Sequence, residues 1–275
     1  MSPGAEERRA RFRELHEREQ LFVMPNPWDI GSARLLAALG FEALATTSAG
    51  FAWSRGRPDQ TVARDELVAH VEELARATPL PLNVDSERLY PDDPGGVTQT
   101  VAMLADAGAA GCSIEDYNPA TGGVEDVAVA AERVREAAEA AQRAELVLTA
   151  RAENHIRGVD DLDDTIARLV AYRDAGADAV YAPGLTDLAQ IGAVVETVRL
   201  PLNVLALPAT PPLDELETAG VRRVSTGSLL AGAAYGALVA GAKELLTSGT
   251  SRYAEHGVPR DLLGEALASR GSLRP

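Results

Sequence analysis

The tetrapeptide Pro-Leu-Asn-Val occurs twice in the chain, at Pro81 and at Pro201, and a second phrase, Gly-x-x-x-apolar, occurs four times. The four copies are Gly40-Phe-Glu-Ala-Leu, Gly108-Ala-Ala-Gly-Cys, Gly176-Ala-Asp-Ala-Val and Gly220-Val-Arg-Arg-Val. Each follows a stretch of helical periodicity, and Gly40 is placed to end its helix in the left-handed conformation. Internal repetition of this kind restricts the chain to architectures assembled from one unit used many times.

The unit is a strand followed by a helix. A charged leading helix (about Glu6 to Gln20) precedes strand Leu21 to Met24 and helix Ile30 to Leu39. Then come strand Glu42 to Thr47, a polar loop, and helix Arg64 to Thr78. The third strand runs from Pro81 into Asp85 and Glu87 and is followed by helix Val97 to Ala107. The fourth, ending at Glu115, precedes helix Val124 to Arg143, and the fifth, Glu145 to Ala150, precedes helix Leu162 to Ala175. Strands Ala179 to Ala182, Leu202 to Leu205 and Arg222 to Thr226 alternate with helices Leu188 to Val198, Leu213 to Ala219 and one starting near Ser228. Eight such units give a parallel α/β protein, and a closed (β/α)8 TIM barrel explains why even strands resemble one another and odd strands do likewise. A doubly wound nucleotide-binding sheet is disfavoured, since no Gly-x-Gly-x-x-Gly follows the first strand. The expected organisation is an N-terminal helix over 1–20, one barrel domain over 21–247 and a C-terminal helical tail over 248–275.

Composition narrows the partners. The 275 residues are 46% hydrophobic and 24% charged, enough for one well-buried core. With 26 Lys and Arg against 41 Asp and Glu, the net charge is −15, which argues against nucleic acid or an anionic membrane as the main partner. A single Cys excludes an internal disulfide, and the charged start does not read as a signal peptide, so a cytoplasmic location is expected.

Side chains alternate along a strand, so Asp85 and Glu87 share a face with Asn83, and Glu115 shares one with Ser113. On neighbouring parallel strands these carboxylates would meet at one end of the sheet, an arrangement that calls for a cation. Asp59, on the long second loop, is a fourth candidate ligand. A set of oxygen donors without matching Cys or His favours Mg²⁺, with Mn²⁺ as the alternative. Arg151, at the end of strand five, is placed either to pair with Glu115 or Glu153 or to stabilise an enolate oxygen. Ser48-Ala49-Gly50 offers a hydroxyl and backbone N–H groups to a substrate carboxylate, and Trp28 lies at the end of strand one. Tyr117 and Asn118, on a Gly-rich loop, are candidates for a lid with a catalytic residue. Cys112 has the opposite parity to Glu115 and is expected to face the helices and be inert. His16, His70 and His256 are expected at the surface.

The set Asn26-Pro-Trp-Asp-Ile-Gly-Ser-Ala33, Thr46-Thr-Ser-Ala-Gly50, Val84-Asp-Ser-Glu87, Ser113-Ile-Glu-Asp116 and Thr149-Ala-Arg-Ala-Glu153 resembles the isocitrate lyase and phosphoenolpyruvate mutase superfamily, from about Leu21 to Leu246. The resemblance implies a Mg²⁺-dependent barrel acting on 2-oxo or 2-hydroxy carboxylates through an enolate. It places metal ligation, direct or through water, on Asp59, Asp85, Glu87 and Glu115. Carboxylate binding falls on Ser48, Ala49 and Gly50, and oxyanion stabilisation on Arg151. It also implies a homotetramer that exchanges a terminal helix between subunits. Lyases of the family carry a Lys-Lys-Cys-Gly-type loop after strand four; here the segment reads Asp116-Tyr-Asn-Pro-Ala-Thr-Gly-Gly123, with neither Cys nor Lys. The expectation is therefore a lyase that breaks a C–C bond of an oxaloacetate-like acid, by decarboxylation or retro-aldol or Claisen cleavage. Phosphoenolpyruvate mutase or phosphonopyruvate hydrolase chemistry is the first alternative. A barrel that binds a small acid without turnover is the second.

Overall fold

The computed structural model describes residues 3–268. Eight parallel strands form the barrel: β1 (Phe22–Met24), β2 (Leu44–Ala45), β3 (Leu82–Val84), β4 (Gly111–Glu115), β5 (Val147–Arg151), β6 (Ala179–Tyr181), β7 (Leu202–Leu205) and β8 (Arg223–Ser225). They are hydrogen-bonded in the spatial order β1-β8-β7-β6-β5-β4-β3-β2. The remaining seam, between β1 and β2, is closed by the Ala45 N–H on Pro25 O (3.1 Å) and by Asn26 Nδ2 on Thr46 O (2.7 Å). Asn26 Oδ1 also accepts from the backbone of Thr226 and Gly227, so one side chain ties β1 to both of its neighbours.

The helices around the barrel are α1 (Pro3–Glu17), α2 (Ile30–Ala38), α3 (Ser48–Ser54), α4 (Arg64–Ala77), α5 (Gly96–Asp106), α6 (Val127–Ala144), α7 (Leu162–Asp174), α8 (Leu188–Val198), α9 (Leu213–Thr218), α10 (Leu229–Ser248) and α11 (Arg260–Leu267). The repeated glycines have one physical cause. Gly40, Gly108, Gly176 and Gly220 all take positive φ (89°, 99°, 104° and 89°), one residue past the caps of α2, α5, α7 and α9, where a side chain is disfavoured. The doubled Pro-Leu-Asn-Val has another: Leu82, Val84, Leu202 and Val204 pack outward among the helices, while Asn83 and Asn203 turn into the barrel. Cys112 lies in that outer core, and burial pushes its thiol up to about 12, consistent with an inert residue.

The start of the chain seals the barrel. Phe12 and Leu15 of α1 join Phe22, Met24, Ala43, Ala45, Ala110 and Val147 in a second apolar cluster at the N-terminal end of the strands. Arg9 caps it by donating to the carbonyls of Ala105 (2.6 Å) and Ala109 (3.2 Å). Gly111 is forced by this plug, since a Cβ there would lie 2.6 Å from the Phe12 ring and 2.7 Å from Val147 O. His16 and His70 are both buried, against the surface position expected from sequence: His16 packs edge-on against Phe12 and Phe22, and His70 stacks on Phe51 at 3.8 Å. Their helices present these residues to the barrel, so polarity alone misplaced them.

At the other end of the chain, α10 buries only Ala231 and Gly241 while Leu238, Val239, Leu245 and Leu246 stand exposed. It is long and apolar enough to cross a membrane by length and composition. Beyond it, α11 folds back against α2.

Candidate active site

A cavity of about 240 Å³ opens where the strands end. The backbone builds its rim from three local devices. Thr47 caps α3 by accepting from the Gly50 N–H (3.2 Å), so Ser48-Ala49-Gly50 is the first turn of a helix rather than part of the loop expected after the second strand. The Asp85 N–H donates to Thr46 Oγ1 (2.8 Å), and Asp85 Oδ2 accepts from the Ser48 N–H (2.9 Å), which joins the ends of β2 and β3. Past Asp85 the chain turns sharply, with Glu87, Leu89 and Tyr90 all at positive φ (50°, 59° and 48°). Such strain persists only where surrounding contacts hold it, here the Glu115 N–H on Glu87 O (2.9 Å) and Tyr90 OH on Val62 O (3.1 Å).

Arg151 is the centre. Its Nη1 donates to Asp85 Oδ1 (2.6 Å), its Nη2 lies 3.3 Å from Glu115 Oε2 and 2.8 Å from Glu153 Oε1, and its Nε donates to Glu153 Oε1 (2.9 Å). Gln60 holds the other oxygen of Glu115 (2.9 Å). Burial opposes the charge on Arg151, yet Glu153, Asp85 and Glu115 together raise its pKa well above the ordinary value. The acids answer in kind. Burial, then repulsion from Asp85 and Asp59, pushes Glu87 up to about 8; burial, then Asp85, raises Asp59; burial, then Glu153, raises Glu115. Glu87 Oε1 is buried without a hydrogen-bond partner.

Five carboxylates (Asp59, Asp85, Glu87, Glu115 and Glu153) thus gather around one guanidinium, with Arg157 3.7 Å from the far side of Glu153. Among the described residues no three metal-ligating side chains converge on one point, because Asp85 and Glu115 are turned onto Arg151, Ser48 and Gln60. The surplus of acid oxygen and the orphaned Glu87 Oε1 nevertheless fit a hard divalent ion that keeps most of its water.

Of the residues singled out in the sequence, Ser48, Ala49, Asp59, Asp85 and Arg151 line the cavity. Glu87 and Glu115 lie behind that wall, in electrostatic contact with Asp85. Gly50, Trp28, Tyr117 and Asn118 do not line it. A Cβ on Gly50 would press against Thr47 and Trp28, so Trp28 packs against the first turn of α3. Tyr117–Asn118 pairs with Gly123–Val124 in an antiparallel hairpin, where Asn118 accepts from the Ala120 N–H and donates to Glu125 (3.1 Å). Tyr117 instead carries the Arg157 guanidinium 3.4 Å above its ring. Asp116, within the quoted motif, is structural: it accepts from Tyr172 OH (2.6 Å), Arg168 (3.1 Å) and the Glu153 N–H (2.9 Å). Arg157, Asn203 and Arg223 line the cavity as well; Asn203 is signalled by the repeated Pro-Leu-Asn-Val, whereas Arg157 and Arg223 had no distinguishing signal in the sequence beyond charge or interior parity.

Residues 12–246 match the family described as phosphoenolpyruvate phosphomutase. The chain belongs to the isocitrate lyase and phosphoenolpyruvate mutase superfamily. A Burkholderia cenocepacia J2315 crystal structure named as a lyase/mutase shares 47% identity with this superfamily member at a TM-score of 0.90, covering 95% of this chain and 96% of the other. The oxaloacetate decarboxylase of Paraburkholderia xenovorans is 31% identical over 219 residues, 74% of this chain and 71% of its own length. A structure of oxaloacetate acetylhydrolase with its product oxalate is 27% identical at a TM-score of 0.82, covering 96% and 93% of the two chains.

Proposed function

We propose that this superfamily member is a Mg²⁺-dependent lyase that breaks a C–C bond of a small 2-oxo or 2-hydroxy carboxylate of the oxaloacetate type, through an enolate. The observation that carries the reading is the crowding of Asp59, Asp85, Glu87, Glu115 and Glu153 around Arg151 at the mouth of the cavity. Asp85 and Asp59 would hold the ion, through water in the main, with Glu87 and Glu115 behind them. When bound, Mg²⁺ supplies Lewis-acid polarisation of the 2-oxo group. The rest is the work of the chain. Arg151, fixed in its plane by Asp85, Glu115 and Glu153, presents charge to the oxygen that becomes negative as the bond breaks. A preorganised donor of that kind contributes about 3–4 kcal/mol. Ser48 and Ala49 line the wall where the substrate carboxylate would lie, and the Arg157–Tyr117 pair would narrow the mouth and exclude water.

The test is a panel of oxaloacetate, 2-alkylmalates and phosphonopyruvate with Mg²⁺, Mn²⁺ or chelator. Turnover of a C–C substrate that chelation abolishes is expected. Turnover of phosphonopyruvate alone would move the chain to P–C chemistry. Tight Mg²⁺-dependent binding of oxalate without turnover of any member would mean a binding protein.

The exposed Leu238, Val239, Leu245 and Leu246 of α10 support assembly with further copies of the chain, the tetramer with helix exchange that the resemblance implies. Sedimentation would report it, and a monomer at micromolar concentration would exclude it. A reducing cytoplasm suits the single buried thiol of Cys112.

A further inference from the structure

Three arginines line the cavity, and they differ in what balances them. Arg151 reaches Asp85, Glu115 and Glu153, and Arg157 reaches Glu153. Arg223, 2% exposed on β8, reaches no carboxylate among the described residues. Its Nε donates to Asn203 Oδ1 (2.9 Å), its Nη2 to Thr149 Oγ1 (3.1 Å), and its Nη1 lies 3.0 Å from His16 Nε2. All three partners are neutral. His16 Nδ1 sits 2.7 Å from Phe12 O and must carry the ring proton, which leaves Nε2 to accept. Burial, then Arg223 itself, presses the His16 pKa down to about 3, so the imidazole stays uncharged. One N–H on each Nη nitrogen is left over, the number that a carboxylate takes in a two-point contact. A buried guanidinium without a counter-charge is costly, and Arg223 is further disfavoured by Arg151 acting on it from the rim.

We propose that Arg223, set on the floor of the cavity by Asn203, Thr149 and His16, is the anchor for the second carboxylate of a dicarboxylate substrate whose reacting end lies beside Asp85 and Arg151. The assignment rests on the reading above in placing the reacting end there. It adds what that reading leaves open, a reason for the site to select a diacid over pyruvate-sized monoacids. The floor is preferred over the mouth because Arg157 is one-third exposed, stacked on Tyr117 and paired with Glu153, whereas Arg223 has charge to spare.

The experiment is calorimetric titration of the Mg²⁺-loaded protein with oxalate, which has no second arm, and with malate, which has one, for wild type, Arg223→Gln and Arg223→Lys. In Arg223→Gln the ratio of malate to oxalate affinity is expected to fall at least about tenfold, and in Arg223→Lys, which keeps the charge but not the two-point contact, to fall by clearly less. An unchanged ratio in the Gln variant, an equal fall in both variants, or a wild type that binds oxalate but not malate overturns the anchor. Should Arg223→Gln fail to fold, a wild-type crystal with malate decides: the far carboxylate within hydrogen-bond reach of Arg223 supports the assignment. Its placement at Arg157, or chloride on Arg223 with malate elsewhere, overturns it. Absence of Mg²⁺-dependent oxalate binding counts separately, against the reading of the metal end; Arg223 is then judged by malate in the crystal, and no malate there also overturns the anchor.

Discussion

Two arginines in one barrel interior show opposite solutions to the same problem. At the rim, Arg151 is surrounded by more negative charge than it can neutralise, and the excess appears as raised pKa values on Asp59, Glu87 and Glu115. At the floor, Arg223 is surrounded by an amide, a hydroxyl and a neutral imidazole, and its own pKa is pressed down to about 10, chiefly by burial. The rim lacks positive charge and the floor lacks negative charge. A divalent cation at one and a ligand carboxylate at the other would correct both, and this is the charge complementarity behind the metal-bound diacid that we propose.

The largest effect should come from removing the acid that touches both Arg151 and Ser48. Asp85→Asn keeps the shape and the hydrogen bond to Ser48 is weakened; kcat for the C–C substrate should fall on the order of a thousandfold, several kcal/mol of transition-state stabilisation. A loss of less than tenfold would show that the rim is structural. Next comes a direct comparison of the two cations in metal-free protein. Arg151→Met strands Asp85, Glu115 and Glu153 and should cost about 3–5 kcal/mol by chemical denaturation. Arg223→Met removes an unbalanced charge along with its bonds to neutral partners, and should cost less than about 2 kcal/mol. Equal losses would mean that the two sites do not differ in the way that the charges suggest.

How much of this was legible differs between the ends for a physical reason. The barrel followed from helix stops and strand parity, because Gly40, Gly108, Gly176 and Gly220 mark the chain where backbone geometry demands it. The rim acids stood out because charged residues at the end of apolar strands have no structural reason to cluster. Glu87 could be found by type though not by parity, since the chain leaves the strand at Asp85 and enters the left-handed region at Glu87. Arg223 was hard to find: strand parity turns it inward with Ser225, but only the pairing of β8 with β1 and the arrival of His16 on α1 show it buried among neutral partners. Tyr117 and Asn118 were conspicuous as a Gly-rich loop, but a loop sequence does not reveal that its ends pair as a hairpin and that Tyr117 packs on Arg157 without itself lining the cavity.

The rim also predicts a pH response of the metal-free protein. Glu87 has a folded-state pKa of about 8, raised by burial and then by Asp85 and Asp59, above the ordinary carboxylate value of 4.5. Between those values the folded state holds a proton that the unfolded state has released, so stability falls as pH rises from about 4.5 to about 8. Thermal melts without metal should therefore drop across that window, Glu87→Gln should flatten the drop, and saturating Mg²⁺ should do the same. A slope that is unchanged in Glu87→Gln would place the proton on the Glu115 and Glu153 pair instead.

The smallest effect concerns the third arginine, at the mouth, where the charge is balanced from one side and exposed on the other. Tyr117 offers its ring to Arg157 at 3.4 Å, a contact worth about 0.5–1 kcal/mol at a half-exposed position. Tyr117→Leu should loosen Arg157 and raise KM about two- to fivefold with kcat nearly unchanged, while Tyr117→Phe, which keeps the ring, should match wild type. The sequence suggested a catalytic role for Tyr117, and the same pair of variants separates the two. A hydroxyl that delivers a proton contributes about 10²–10⁴ in rate, so Tyr117→Phe would then be the more damaging change and would act on kcat. The hairpin makes the first outcome the expected one, because it holds the Tyr117 ring beneath the Arg157 guanidinium and outside the cavity lining, where its hydroxyl has no place in a proton transfer.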